Sequence, residues 1–164
     1  MQAGYTENPW GIRIPIYASC VALLAGPLQS RERRRRPKTH RGLGRLYLGV
    51  GVLLGGSAGL VVATRAYGGV VAQSGFALMA IFWLYTGGRA YLAIRRGAVQ
   101  AHQAWMIRNF ALTLAAVSLR LYLPIALVFG IPFDRAYPAI AWLCWVPNAL
   151  LAEWLCRRQS AKSR

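Results

Sequence analysis

Residues 102–124 read HQAWMIRNFALTLAAVSLRLYLP and combine a long apolar run with ionisable side chains. Most of these residues are Ala, Leu, Val, Ile or Phe, as in a helix that crosses a membrane. Arg108 and Arg120 nevertheless lie inside the run, and His102 stands at its beginning. Because an ionisable group in hydrocarbon is costly, these three residues are the first candidates for a functional site.

The rest of the chain has the same apolar character. Hydrophobic residues make up 56% of the 164 residues and charged residues only 15%, and the apolar residues form long blocks. A membrane-spanning helix needs roughly 20 mostly apolar residues. The blocks that meet this length lie at about 11–29, 45–67, 70–93, 104–130 and 136–156. The sequence therefore predicts a single-domain, all-α integral membrane protein, a bundle of about five transmembrane helices.

The basic residues are distributed unevenly around these spans. The net charge is +16, and most basic residues lie in the predicted loops 31–45 and 94–103 and in the carboxyl-terminal tail. The opposite side holds only Arg13, Arg65 and Arg135. Because Lys and Arg are retained in the cytoplasm, this asymmetry predicts an amino terminus outside and a carboxyl terminus inside. The basic tract RERRRRPK (31–38) is then expected to meet anionic lipid and not nucleic acid.

The polar residues of the 104–130 helix are expected to share one face. At 100° per residue a common line holds His102, Met106, Asn109, Thr113 and Arg120. This line is expected to face the bundle interior. Arg108 points elsewhere and matches Glu153 in depth, which predicts a structural ion pair. No carboxylate matches the depth of Arg120, so either it reaches outward or it meets another acceptor. The candidates are Tyr or Trp side chains, water, a bound ligand and, most directly, a backbone carbonyl freed by Pro147.

The two histidines predict a cofactor site. His40 and His102 each precede a helix that starts from the cytoplasmic face, so both are expected at one membrane level. If these helices adjoin, the imidazoles are placed to ligate the iron of haem b from both sides. The other predicted cofactor-binding residues are Arg45, Tyr47, Met106, Arg108, Asn109 and Arg120. A quinone site with the same residues and a purely interfacial role for the histidines are the alternatives.

The strings HRGLGRLYLGVG (40–51), HQAWMIRNFALTLAAVSLRLYLP (102–124) and WLCWVPNALLAEW (142–154) resemble the bacterial membrane-protein family known as domain of unknown function 2306. The resemblance implies several spanning helices in a bacterial inner membrane and no established activity. The positions that match are His40, Arg41, Gly44, Arg45, Tyr47, His102, Trp105, Met106, Arg108, Arg120, Pro124, Trp145, Asn148 and Glu153. The family pattern also has a histidine in the first helix, which is missing from IPIYASC (14–20) here.

Three functions are compatible with the sequence. The first is a haem- or quinone-binding redox protein that uses His40 and His102. The second is a small anion or lipid carrier with a path along Asn109, Thr113 and Arg120. The third is a non-catalytic subunit that scaffolds a membrane complex through an exposed face at Gly51, Gly55 and Gly59, with another membrane protein or a second copy as partner. No catalytic residue is predicted, because nucleophile elbows, phosphate loops and paired acids are missing from the sequence.

Overall fold

The computed structural model describes Tyr17 and residues 37–162, and no strand occurs in this part of the chain. The predicted all-α class is confirmed. The elements are α1 (Pro37–Leu46), a π-helical segment (Tyr47–Leu54), α2 (Gly55–Ala63), α3 (Gly69–Arg95), α4 (Val99–Thr113), α5 (Ala115–Val128), α6 (Phe133–Leu143) and α7 (Val146–Lys162).

Four helical runs in the described residues are long and apolar enough to cross a membrane. They are span I (Lys38–Ala63), span II (Gly69–Arg95), span III (Val99–Val128) and span IV (Phe133–Ala161). These runs correspond to the last four of the predicted spans, whereas the first, 11–29, lies outside the described residues except for Tyr17. The connections between them are short, so consecutive spans run in opposite directions.

The predicted loop 31–45 is wrong over its second half, because α1 already begins at Pro37. This continuous part of the described chain begins at Pro37, and residues 37–46 are all helical. His40 and Arg45 therefore lie on a helix and not in a loop before it.

Glycines make the turns between spans. Gly68 has a φ of 93° and Gly97 a φ of 73°, a left-handed conformation that glycine adopts without steric cost. Each of these residues lies next to a helix end, where the chain reverses direction.

Small residues let span I approach span II closely. A Cβ on Gly59 would lie 3.7 Å from the Cβ of Ala80, and a Cβ on Gly87 would lie 2.7 Å from Cγ1 of Val52. Gly51 and Gly55 are buried, and Gly59 is partly buried. The exposed glycine face that the scaffold hypothesis requires is therefore not found: these glycines serve tight helix packing inside the chain.

Span IV is interrupted between α6 and α7. Pro147 has no N–H to donate, and it follows directly on this interruption. The side chain of Asn148 bonds to the backbone of this interruption, because its Nδ2 donates to the carbonyl of Cys144 at 3.1 Å. The same Nδ2 donates to Oγ of Ser118 at 3.1 Å and so ties span IV to span III.

Candidate functional site

A buried polar network joins spans I, II and III. Tyr47 donates its hydroxyl hydrogen to Oδ1 of Asn109 at 2.8 Å, and its oxygen lies 2.8 Å from Oγ1 of Thr113. Trp83 Nε1 donates to Oγ1 of Thr113 at 3.0 Å. Asn109 Nδ2 donates to the carbonyl of Trp83 at 2.7 Å and to Oγ1 of Thr86 at 2.8 Å. We call these five residues the polar network.

Every hydrogen-bond donor in the polar network has an acceptor. Thr86 donates to the carbonyl of Phe82 at 2.8 Å, and Thr113 has both the Tyr47 oxygen and the carbonyl of Asn109 within reach. Tyr47 and Asn109 have no exposed surface. Since a buried polar group left without a partner costs about 1–3 kcal/mol, a sliding movement of one span against the others is unfavourable. The polar network therefore sets the relative heights of the three spans.

Trp83 and Thr86 are members of the network that sequence reasoning missed. They lie three residues apart on α3, as Asn109 and Thr113 lie four apart on α4, so each pair shares one helix face. Gly87 follows Thr86 and leaves room for both neighbours, since a Cβ there would lie 3.3 Å from Nδ2 of Asn109 on span III and 2.7 Å from Cγ1 of Val52 on span I. The signal in the sequence was this 3–4 spacing of polar and aromatic residues next to a glycine.

The network also relates the two histidines to each other. His40 precedes Tyr47 by seven residues, and His102 precedes Asn109 by seven. Seven residues make about two helical turns, so each histidine lies on the same face as the network residue that follows it. Spans I and III run in the same direction, and His40 and His102 are both partly buried. The two histidines thus occupy equivalent positions, two turns from a hydrogen bond that joins their helices.

The imidazole of His102 is oriented by a backbone carbonyl. Its Nδ1 lies 2.8 Å from the carbonyl oxygen of Ala90 on α3. A carbonyl oxygen only accepts, so Nδ1 carries the hydrogen in this bond. In the neutral imidazole, Nε2 then has the free lone pair, as in histidines that bind a metal. Within residues 37–162, no group of three or more His, Cys, Asp or Glu side chains comes together.

The structure brings Arg108 and Glu153 together. Arg108 Nε donates to Oε2 of Glu153 at 2.8 Å, and the two side chains are 26% and 39% exposed. Arg157, which was not predicted, donates from Nε to Oε1 of the same carboxylate at 2.9 Å. The four-residue spacing of Glu153 and Arg157 on α7 was the signal for this second contact. Glu153 therefore links spans III and IV, and its single negative charge offsets part of the two positive charges of Arg108 and Arg157.

The prediction that Arg120 faces the bundle interior is wrong. Arg120 is exposed, and its guanidinium donates to the carbonyl of Ala116 in its own helix at 2.8 Å, not to a carbonyl freed by Pro147. Span III is interrupted at Leu114, next to Thr113, whose hydroxyl lies 3.2 Å from the carbonyl of Asn109. Such back-bonding bends helices, so a uniform rotation per residue does not hold past this point. The interior line of polar residues ends at Thr113.

The other predicted cofactor residues divide into two groups. Tyr47 and Asn109 are fully enclosed and hydrogen-bonded within the protein, so contact with a ligand would require them to leave their present partners. Arg45 is exposed on α1, and Met106 is partly buried against the core. Arg45 and Met106 are placed nearer the histidines in sequence and remain predicted ligand contacts.

A small cavity lies beside the polar network, next to Thr113. Its volume is about 70 Å³, and it is lined by Phe76, Met79, Trp83, Leu112, Thr113, Ala115, Ala116, Leu119 and Cys144. Pockets that hold drug-sized ligands have volumes of about 300–1,000 Å³. This cavity is too small for a macrocycle, and neither histidine lines it.

These features define a multi-pass helical membrane protein whose spans are joined by a buried polar network. The model of the family described as "Predicted membrane protein (DUF2306)" matches residues 12–156, and the chain belongs to this family. The resemblance seen in the sequence is thereby confirmed. No curated protein and no solved structure matches the chain.

Proposed function

We propose that this protein is a redox-cofactor-binding protein of the bacterial inner membrane that holds haem b or a quinone with His102 and His40. The observation that carries the proposal is the hydrogen bond between Tyr47 and Asn109. This bond joins two parallel spans. On each span a histidine precedes the bonded residue by two helical turns, toward the same end of the bundle.

The orientation of His102 supports the same function. Its Nδ1–H is held by the carbonyl of Ala90, so it is Nε2 that carries the lone pair when the imidazole binds a ligand. This atom is suited to a haem iron, which binds neutral imidazole nitrogen, and equally to the hydroxyl of a quinol, which it accepts as a hydrogen bond. His40, from the parallel span, supplies the second ligand in the haem case.

The arginines at this end of the bundle suit the acidic groups of such a cofactor. Arg45 is exposed on α1, and Arg108 uses its Nε for Glu153, which leaves its terminal nitrogens for a propionate. An arginine donates to a carboxylate in a planar, two-point arrangement. Both residues therefore fit a role in orienting the cofactor.

The proposed orientation puts this end in the cytoplasm. Arg41 and Arg45, Arg95 and Arg96, and Arg157 and Arg158 lie at the ends of spans I, II and IV that share one side of an antiparallel bundle. Basic residues in short segments next to spans are retained inside and attract anionic lipid. A reporter fused after Arg158 is expected to be active in the cytoplasm, and periplasmic activity would reverse the orientation.

The two rival functions have less support. A carrier path along Asn109, Thr113 and Arg120 has little support, because Asn109 and Thr113 are hydrogen-bonded within the polar network and Arg120 is exposed. A scaffold that binds its partner through Gly51, Gly55 and Gly59 conflicts with the burial of the first two. The redox function is the one that the positions of its key residues favour.

The test is ligand retention by the detergent-purified protein. Haem is titrated into it and followed by absorption, and quinone is extracted from a second sample and quantified. We expect one of the two ligands at a 1:1 ratio, lost in His102→Ala and weakened in His40→Ala. Arg135→Gln, at the opposite end, is the control and should bind as the wild type does. Failure of both ligands, or equal retention by His102→Ala, would refute the proposal.

A further inference from the structure

Trp105 lies in contact with two guanidinium groups from different spans. The Cζ atom of Arg89 on α3 lies 5.0 Å from the centroid of the Trp105 ring, and so does the Cζ atom of Arg108 on α4. Tyr85 adds an edge-on ring contact, with its centroid 5.7 Å from that of Trp105. An arginine held against an aromatic face keeps its N–H groups at the edge, where they can donate to a further acceptor.

The charge of this cluster is only partly balanced. Within residues 37–162 the salt bridges involve Glu153 alone, which is shared between Arg108 and Arg157. Arg89 is exposed and has no carboxylate partner in that part of the chain. Arg108 and Arg157 thus share one carboxylate, and Arg89 adds a further positive charge at the ring that it shares with Arg108.

An apolar stripe leads away from Arg89 along the same helix face. Leu78, Phe82 and Tyr85 precede Arg89 by eleven, seven and four residues, which places all four on one line. The three apolar or aromatic side chains are 37%, 46% and 50% exposed. Arg89 lies less than two turns from the end of α3, on the side where Arg95 and Arg96 follow. The stripe thus runs from the headgroup level toward the hydrocarbon.

We propose that Arg89, Trp105 and Arg108 form a binding site for the phosphate of an anionic phospholipid, whose acyl chain lies along Leu78, Phe82 and Tyr85. Both guanidinium groups contact one ring, so they are at most twice 5.0 Å apart and can donate to one phosphate group. The apolar stripe selects a lipid over free phosphate, because inorganic phosphate makes no use of it. Arg108 is shared with the proposed propionate contact, whereas Arg89 and Trp105 have no part in the proposed cofactor site, so variants at Arg89 and Trp105 test the lipid site separately.

The experiment is native mass spectrometry of the full chain in micelles that contain phosphatidylglycerol or phosphatidylcholine. We expect the wild type to retain phosphatidylglycerol, and Arg89→Gln to lower its apparent affinity about tenfold, equivalent to about 1.4 kcal/mol. Trp105→Leu should weaken retention as well, because the guanidinium groups lose the ring that positions them. Arg135→Gln is the matched control at the other end of the bundle and should retain lipid as the wild type does.

Inorganic phosphate added in excess separates the two sources of the phosphate group. We expect it to leave the bound phosphatidylglycerol in place. Displacement of the lipid by inorganic phosphate, equal retention of phosphatidylcholine, or unchanged retention by Arg89→Gln would each overturn the proposal. Thermal unfolding of Arg89→Gln in the same detergent shows whether a loss of lipid comes from the site or from the fold.

Discussion

Tyr47 is the residue that ties span I to span III, through a hydroxyl with no exposed surface. Tyr47→Phe keeps the ring and removes the hydrogen bonds to Asn109 and Thr113, so we expect a loss of about 1 kcal/mol in the free energy of unfolding. The free energy of unfolding is measured by titrating a denaturing detergent into mixed micelles that contain the protein. Tyr67→Phe makes the same chemical change at an exposed ring and should have little effect. Equal stabilities of the two variants would mean that the polar network does not hold the spans.

Glu153 is the shared partner of two arginines. Replacing Glu153 is therefore expected to change the stability of the bundle by a different amount than replacing one arginine. Arg108→Ala leaves the carboxylate paired with Arg157, whereas Glu153→Ala leaves two guanidinium groups without it. We therefore expect Glu153→Ala to destabilise the bundle more than Arg108→Ala. In the double mutant the loss should be smaller than the sum, by up to about 1 kcal/mol, since both side chains are partly exposed. Additive losses would show that the two side chains are not coupled.

At the scale of elements, two adjacent glycines on α3 provide a matched test of helix packing. A Cβ on Gly87 would meet Val52 at 2.7 Å, whereas a Cβ on Gly88 has nothing within 4 Å. Gly87→Ala should cost about 1–3 kcal/mol by forcing spans I and II apart, and Gly88→Ala should gain about 0.5–1 kcal/mol from helix propensity. Both values follow from detergent unfolding curves. A neutral Gly87→Ala would indicate that the close approach of these spans is not needed.

The spans could be predicted from the sequence because the need for long apolar helices in a bilayer leaves few alternatives. The pairing of Arg108 with Glu153 could be predicted as well, since charged residues at similar depth are few. The interior position of Arg120 was predicted wrongly because the sequence does not show the interruption at Leu114. The partners of Asn109 on span II were missed because they depend on which helices adjoin, and periodicity in one helix does not contain that information.

At the scale of the whole molecule, the proposed ligand site requires the histidines of spans I and III to lie level with each other and within reach of one ligand. The hydrogen bond from Tyr47 to Asn109 joins these spans two turns away from the histidines, so the two positions are expected to lie within reach of a bismaleimide. His40→Cys combined with His102→Cys, in a background with Cys20, Cys144 and Cys156 replaced by Ala, is therefore expected to cross-link within one chain. Gly59→Cys with Ala80→Cys is the positive control, because their Cβ atoms would be 3.7 Å apart, within the range of a disulfide.

The measurement that tests the central claim most directly is the yield of this cross-link in native membranes. His102→Cys with Arg135→Cys, from opposite ends of the bundle, gives the background level. We predict a yield for the His40→Cys and His102→Cys pair well above that background. A yield at background, together with efficient cross-linking of the Gly59→Cys and Ala80→Cys pair, would contradict a ligand site shared by the two histidines.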